Sequence, residues 1–214
     1  MYDSYVCQQD FVNYRGKTAD TNEYYTEIVS DFIIGRIDQF ISGIPTISRT
    51  HWYKVNHDGN FTEGTGRIEE ITAIKMFNQC SGGNDFDYIG TMLDYQTPLK
   101  SVRTDKAGKI DLLSYDGTVI RVLELKRSDS KETMLQCVLE EFTYLQTVDK
   151  VLLRKDFGLP ENTLIKASPF VFRGGVQWPE WKENRPMLNR LMERLDSKPF
   201  FIVESNGSYS VVEE

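Results

Sequence analysis

No run of about 18 apolar residues occurs in the 214-residue chain, which excludes a helix that crosses a membrane. No apolar N-terminal stretch resembles a secretory signal, and the expected compartment is the cytoplasm. Cysteine is scarce: Cys7, Cys80 and Cys137 are odd in number and widely spaced, so they read as free thiols in a reducing compartment. His51 and His57 are the only histidines, with no cysteine near them, which makes a poor metal signal. No serine or cysteine stands in a strand-to-helix elbow, so a nucleophilic triad is not indicated. Internal repeats, low-complexity segments and clear linkers are all lacking, and the length suits a single domain over 1–214. Positive charge is in deficit as well. The net charge of −7 is opposite to the usual footprint of a general nucleic-acid binder.

What the chain does have is two β-rich runs around Asp116-Gly117. Gly108-Lys109-Ile110-Asp111-Leu112-Leu113 precedes that pair and Val122-Leu123-Glu124-Leu125-Lys126 follows it, a hairpin signal. With Asp116 and Gly117 as the turn, Tyr115 pairs with Thr118 and Asp111 with Val122. Glu124 then lies diagonal to Asp111 on the same face, at roughly 7–8 Å. Lys126, two residues on, shares that face by period-2 alternation.

Two convergent carboxylates suit Mg²⁺, which takes hard oxygen ligands and is commonly held by one or two carboxylates plus water and substrate phosphate. Asp111 and Glu124 supply the carboxylates, and the Leu125 carbonyl is a candidate third oxygen. A metal held there polarises a phosphoryl oxygen and acidifies a bound water. Lys126 is placed to orient or deprotonate the nucleophile, or to stabilise developing charge. The plainer alternative is a surface hairpin with a Glu-Lys pair.

Asp111 followed by Glu124-Leu125-Lys126 resembles the PD-(D/E)XK nuclease superfamily, over about residues 64–173. Ile110 stands where that motif has its proline, and Gly108 to Asp111 matches a familiar Gly-x-x-Asp variant. The resemblance implies an α/β fold: a central mixed β-sheet flanked by helices, with a restriction-endonuclease-like core. In that core a three-stranded meander carries the Asp and Glu-x-Lys residues. An N-terminal helical extension (1–63) and a C-terminal helix plus hairpin (174–214) would flank it. It also implies Mg²⁺- or Mn²⁺-dependent hydrolysis of nucleic acid, DNA before RNA, with Asp111, Glu124, Leu125 and an upstream acid as metal ligands. The rival reading is an inactive module of the same fold that binds nucleic acid or a protein partner.

Upstream, Ile68, Ile71, Ile74 and Phe77 make a helical stripe. Family members often place a glutamate on this helix. Glu70 falls beside Ile74 and Phe77 and is the residue carried over, with Glu69 as the fallback; both also suit a helix N-terminus for its dipole. Downstream, Asp129 to Glu132 reads as a capping box. The helix it opens runs through Met134, Leu135, Val138, Leu139, Phe142 and Leu145. Gln136 matches the Gln of a Gln-x-x-x-Tyr pair that one branch directs at its substrate. Glu140 stands where the tyrosine belongs, and Tyr144 comes one turn late.

Lys100, Arg103, Lys106, Lys109, Arg121, Lys126, Arg127 and Lys131 crowd the motif region, a local positive site within an acidic chain. Elsewhere the patterning predicts an amphipathic helix over 22–41, which packs on the core or forms a homodimer seam. It also predicts a hairpin over 49–62 around Asp58-Gly59 and a buried strand from Thr163 to Phe172. Arg173 at that strand's end is a candidate phosphate contact. Trp178 and Trp181 lie in a loop before a helix over about 183–196, for base stacking or for anchoring that helix. A hairpin closes the chain from Pro199 to Val212.

Overall fold

Residues 11–47, 49–64, 66–99 and 108–214 are described by the computed structural model. Cys7 and the basic residues Lys100, Arg103 and Lys106 lie outside them. The helices are α1 (Tyr25–Ile34), α2 (Ile37–Gly43), α3 (Ile68–Cys80), α4 (Met134–Thr147), α5 (Lys150–Asp156), α6 (Trp178–Lys182) and α7 (Pro186–Arg194). The strands are β1 (Thr91–Pro98), β2 (Lys109–Tyr115), β3 (Val119–Lys126), β4 (Leu164–Phe172), β5 (Phe200–Ser205) and β6 (Ser208–Val212). They form one mixed sheet in the order β1-β2-β3-β4-β5-β6. β1, β2 and β3 are an antiparallel meander, β4 and β5 run parallel to β3, and β6 turns back.

The β2–β3 hairpin forms with a register two residues away from expectation. Tyr115 pairs with Ile120 and Leu113 with Val122. The cause is the Asp116 side chain. Its carboxylate accepts from Thr118 N–H (2.9 Å), Thr118 Oγ1 (2.8 Å) and Val119 N–H (2.8 Å), which holds Asp116 at the strand end rather than in the turn. Gly117 and Thr118 are therefore the two central residues, and Gly117, at φ +97°, meets the positive-φ requirement. Carried on, this register sets Asp111 directly opposite Glu124.

Strand alternation divides the core. Leu113, Ile120 and Val122 pack with Val138 and Phe142 of α4 and Leu188 and Leu191 of α7. Leu112, Leu123, Leu125, Phe170 and Ile202 pack with Ala73, Ile74 and Met76 of α3. Glu124 and Lys126 have the parity of Ile120 and Val122, so they face α4. On the same helix Glu141 is wholly buried, bonded to Ser197 Oγ and with its other oxygen unpartnered. Burial pushes its carboxyl well above the usual range.

Four other expectations are corrected. The 22–41 helix is two helices, because Arg36 leaves helical backbone (φ −134°, ψ 27°) directly after Gly35. Of its apolar residues, Val29, Ile33, Ile37 and Phe40 are buried, whereas Ile28 and Phe32 face outward. The upstream helix buries Thr72, Ala73, Ile74 and Met76, so its core face is rotated from the predicted stripe and Ile68 is exposed. The 183–196 helix starts at Pro186, which suits a first helical turn, and Trp178–Lys182 is a separate short helix. Both tryptophans pack against Phe201, so they anchor the C-terminal region.

The 49–62 hairpin is absent: the segment is a strap without strand structure. Arg49 binds the carbonyls of His51, Trp52 and Pro98. Val55 N–H and His57 Nδ1 both go to the buried Asp94 carboxylate of β1, and Asn78 of α3 binds the Gly59 carbonyl. A strap tied by side chains covers the edge strand without offering a ladder for further pairing. The strand to Phe172 and the closing hairpin form as expected, the latter turning at Asn206 and Gly207, both at positive φ. Among the described residues no helix is long and apolar enough to cross a membrane.

Gly90 enters β1 at φ +73°, and a Cβ there would lie 2.1 Å from the Tyr115 carbonyl oxygen. Replacing it with alanine adds both strain and a backbone clash. Gly90→Ala is expected to cost about 2 kcal/mol or more, read from chemical denaturation midpoints at unchanged m-value.

Candidate active site

Lys126 is the centre of the site, and it is only 5 % exposed. Its ammonium donates to Glu124 Oε1 at 2.7 Å and to Glu140 Oε2 at 3.1 Å, and forms an ion pair with Glu132 Oε2 at 2.6 Å. Burial alone would lower its pKa, but Glu124 and Glu140 outweigh that and raise it, fixing the side chain as a cation. Glu124 lends Lys126 one oxygen, while its Oε2 is buried with no partner. Burial, and then the Asp111 charge, push Glu124 well above the ordinary carboxylate range.

Asp111 sits where β2 and β3 part, its side chain bridging the gap. Oδ2 accepts from the Leu125 N–H at 3.1 Å and Oδ1 from Gln96 Nε2 at 2.9 Å. Its pKa is raised to about 7, first by burial and then by Glu69 and Glu140, against the pull of Lys126 and the Leu125 N–H. Gln96 lies opposite Asp111 between the pairs Tyr95–Leu112 and Thr97–Ile110, and it holds φ +49° inside a strand. A non-glycine residue in that region costs of order 1–3 kcal/mol, and such strain clusters at functional sites.

α4 presents its carboxylates because of how it starts. The expected capping box at Asp129 does not form: Asp129 pairs with Arg127, and the N-cap is Thr133, whose Oγ1 accepts from Gln136 N–H at 3.1 Å. Glu180 of α6 accepts the Met134 N–H at 2.9 Å and is held by Arg15 Nε at 2.7 Å. Moving the cap four residues on frees Glu132 to reach Lys126. Glu140 is steadied by the Tyr144 hydroxyl at 3.0 Å, and Gly108 leaves room for that hydroxyl, since a Cβ there would stand 2.4 Å from it.

Of the residues singled out in the sequence, Asp111, Glu124 and Lys126 come together. Glu69, the fallback acid, accepts from the Arg127 N–H at 3.2 Å and so reaches the end of β3, whereas Glu70 turns to Arg67 at 3.4 Å. The geometry favours Glu69 over Glu70 because one step along α3 rotates the side chain away from the hairpin. Gln136 is half-buried on α4 and is used through its backbone. Arg173 lies against Glu214 and Trp178. Gln96, Glu132 and Glu140 were not identified as site residues, although Glu140 already stood out as the departure from the family's tyrosine.

Four carboxylates around one ammonium are short of positive charge, which a cation or protons can supply. Among the described residues no three His, Cys, Asp or Glu side chains converge as a ready-made metal cage. The unpartnered Glu124 Oε2 beside Asp111 nevertheless fits a hard divalent ion that takes two carboxylates and completes its shell with water. Compared with protein-family models, curated proteins and solved structures, the chain has no significant match in any of the three.

The raised Asp111 pKa has a stability consequence. A carboxyl lifted from 3.8 to about 7 on folding contributes stability that is present below pH 4 and lost as pH rises through 7. Asp111→Asn is therefore expected to stabilise the metal-free protein at pH 8 by about 2–4 kcal/mol. Denaturant titrations in chelator should show that gap closing below pH 4, and a gap that does not change with pH would remove the argument from burial and charge crowding.

Proposed function

We propose that the chain is a divalent-metal-dependent nuclease with a restriction-endonuclease-like core, hydrolysing phosphodiester bonds of nucleic acid, DNA before RNA. The observation that carries this reading is the facing pair Asp111 and Glu124, one with a buried unpartnered oxygen, beside the cation Lys126. The order of a meander, α4 and a parallel β4 also suits the resemblance to PD-(D/E)XK nucleases.

Asp111 and Glu124 would hold Mg²⁺ or Mn²⁺, with the Leu125 carbonyl as the third protein oxygen. Such an ion, when bound, polarises the scissile phosphate and acidifies water. Gln96 and the Leu125 N–H fix the Asp111 carboxylate, so its oxygens need no reorganisation when the substrate arrives. Lys126, held as an ammonium, serves as a charge stabiliser and water-orienting donor rather than a base. Glu69 closes the α3 side and Glu140, set by Tyr144, closes the α4 side.

Mixed single- and double-stranded DNA and RNA, incubated with Mg²⁺ or Mn²⁺, tests this directly. Wild type is expected to cleave, and Asp111→Ala and Lys126→Ala each to lose about a hundredfold or more. Cleavage that survives both substitutions would sink the assignment. Absence of both cleavage and Mn²⁺ binding would favour a non-catalytic binding module.

A further inference from the structure

Lys126 meets three carboxylates, as many as its ammonium has hydrogens. Glu124 and Glu140 accept two of the three ammonium hydrogens. Glu132 closes on it at 2.6 Å on the side of the third. The three carboxylates are not equally tied. Glu124 is on a central strand and 5 % exposed at its side chain, and Glu140 is braced by Tyr144. The Glu132 side chain is 35 % exposed and makes no second hydrogen bond or ion pair among the described residues. Its main chain is fastened instead, the carbonyl accepting from Arg15 and from Gln177 Nε2 at 2.7 Å. The backbone is therefore anchored, while the carboxylate is held by Lys126 alone.

Resting on the nuclease reading, we infer that Glu132 occupies the solvent side of Lys126 in place of a substrate phosphate oxygen, which displaces it on binding. A carboxylate and a phosphate offer the ammonium the same kind of charged oxygen. Substrate must approach from solvent, and Glu132 is the most exposed of the three partners, at 35 % against 26 % for Glu140, and the one with no second side-chain tie. The displacement leaves Lys126 paired with Glu124 and Glu140, and a phosphate oxygen takes over the Glu132 contact, so the buried cation loses no partner. Until it occurs, the buried cation stays paired, which its burial requires. Glu132 thus sets how readily nucleic acid engages, and it takes no part in bond cleavage.

Glu132→Gln tests this against Asp129→Asn, which removes the same charge from the same loop without touching Lys126. With an oligonucleotide substrate and Mn²⁺, Glu132→Gln is expected to lower KM about two- to fivefold, with kcat maintained and Asp129→Asn changing less. An unchanged or raised KM would overturn the inference, and a kcat fall of tenfold or more would make Glu132 part of the catalytic machinery instead. A second readout does not need turnover: binding of a short fluorescently labelled oligonucleotide in Ca²⁺, followed by anisotropy. A Kd lowered about two- to fivefold in Glu132→Gln and changed less in Asp129→Asn supports displacement even if no cleavage is found and the nuclease reading fails. No binding, or a Kd unchanged or raised in Glu132→Gln, overturns it.

Discussion

A buried ammonium must be paired, and Lys126 imposes that constraint on everything around it. Its position on β3, facing α4, means the partners have to come from β3 itself and from α4 and the loop before it. Glu124, Glu140 and Glu132 meet that demand. Three carboxylates on one cation overshoot neutrality, and Asp111 across the hairpin adds a fourth. Burial first, and then this surplus, raises the pKa values of Asp111 and Glu124, and one oxygen of Glu124 is left unpartnered. A fold selected for stability alone would gain by replacing such a cluster with apolar residues.

Holding these charges together depends on parts of the chain far from the hairpin. α4 can aim Glu140 and release Glu132 only if it starts at Thr133. That start is fixed by Glu180 from α6 and by Arg15 near the N-terminal end of the described residues. Arg185, 3 % exposed, joins α7 to α1 through Thr26, while Glu27 of α1 accepts from Met187 and Leu188 at the start of α7. Segments outside the expected core thus act as its clamps, through charged side chains that satisfy backbone N–H groups, carbonyls or, at Thr26, a hydroxyl. On the other edge, the strap at Asp94 secures β1, and β1 carries Gln96 to Asp111.

The hairpin, α4, β4 and the final hairpin were legible because each is a short element with clean periodicity and local turn chemistry. Asp111, Glu124 and Lys126 followed from that alternation alone. The register was misread because Asp-Gly carries two signals. Gly117 supplies positive φ, but Asp116 uses its carboxylate to cap the turn from outside, which moves the central pair one residue on. β1 was opaque for a different reason: a bulge between Met92 and Asp94 and the left-handed Gln96 break its alternation. No pattern announces a residue whose role is a strained contact across a sheet. The start of α4 was misplaced because Asp129 to Glu132 satisfies a local capping rule, while the actual cap, Thr133, is reinforced by a tertiary contact from Glu180, 46 residues beyond Met134.

The correction of the register strengthens the chemical argument. A diagonal Asp111–Glu124 pair could coexist as two separately solvated acids, each with its own water. Direct opposition, with Asp111 pinned by Gln96 and Leu125 and Glu124 by Lys126, removes that freedom. The two carboxylates then compete for the same counter-charge. Lys126 bonds only one of them directly, so the deficit is local to the gap between β2 and β3. Protonation near pH 7 relieves it one way, and a divalent ion relieves it another. The first leaves an acid that still titrates in the neutral range, and the second turns the same crowding into affinity for the ion.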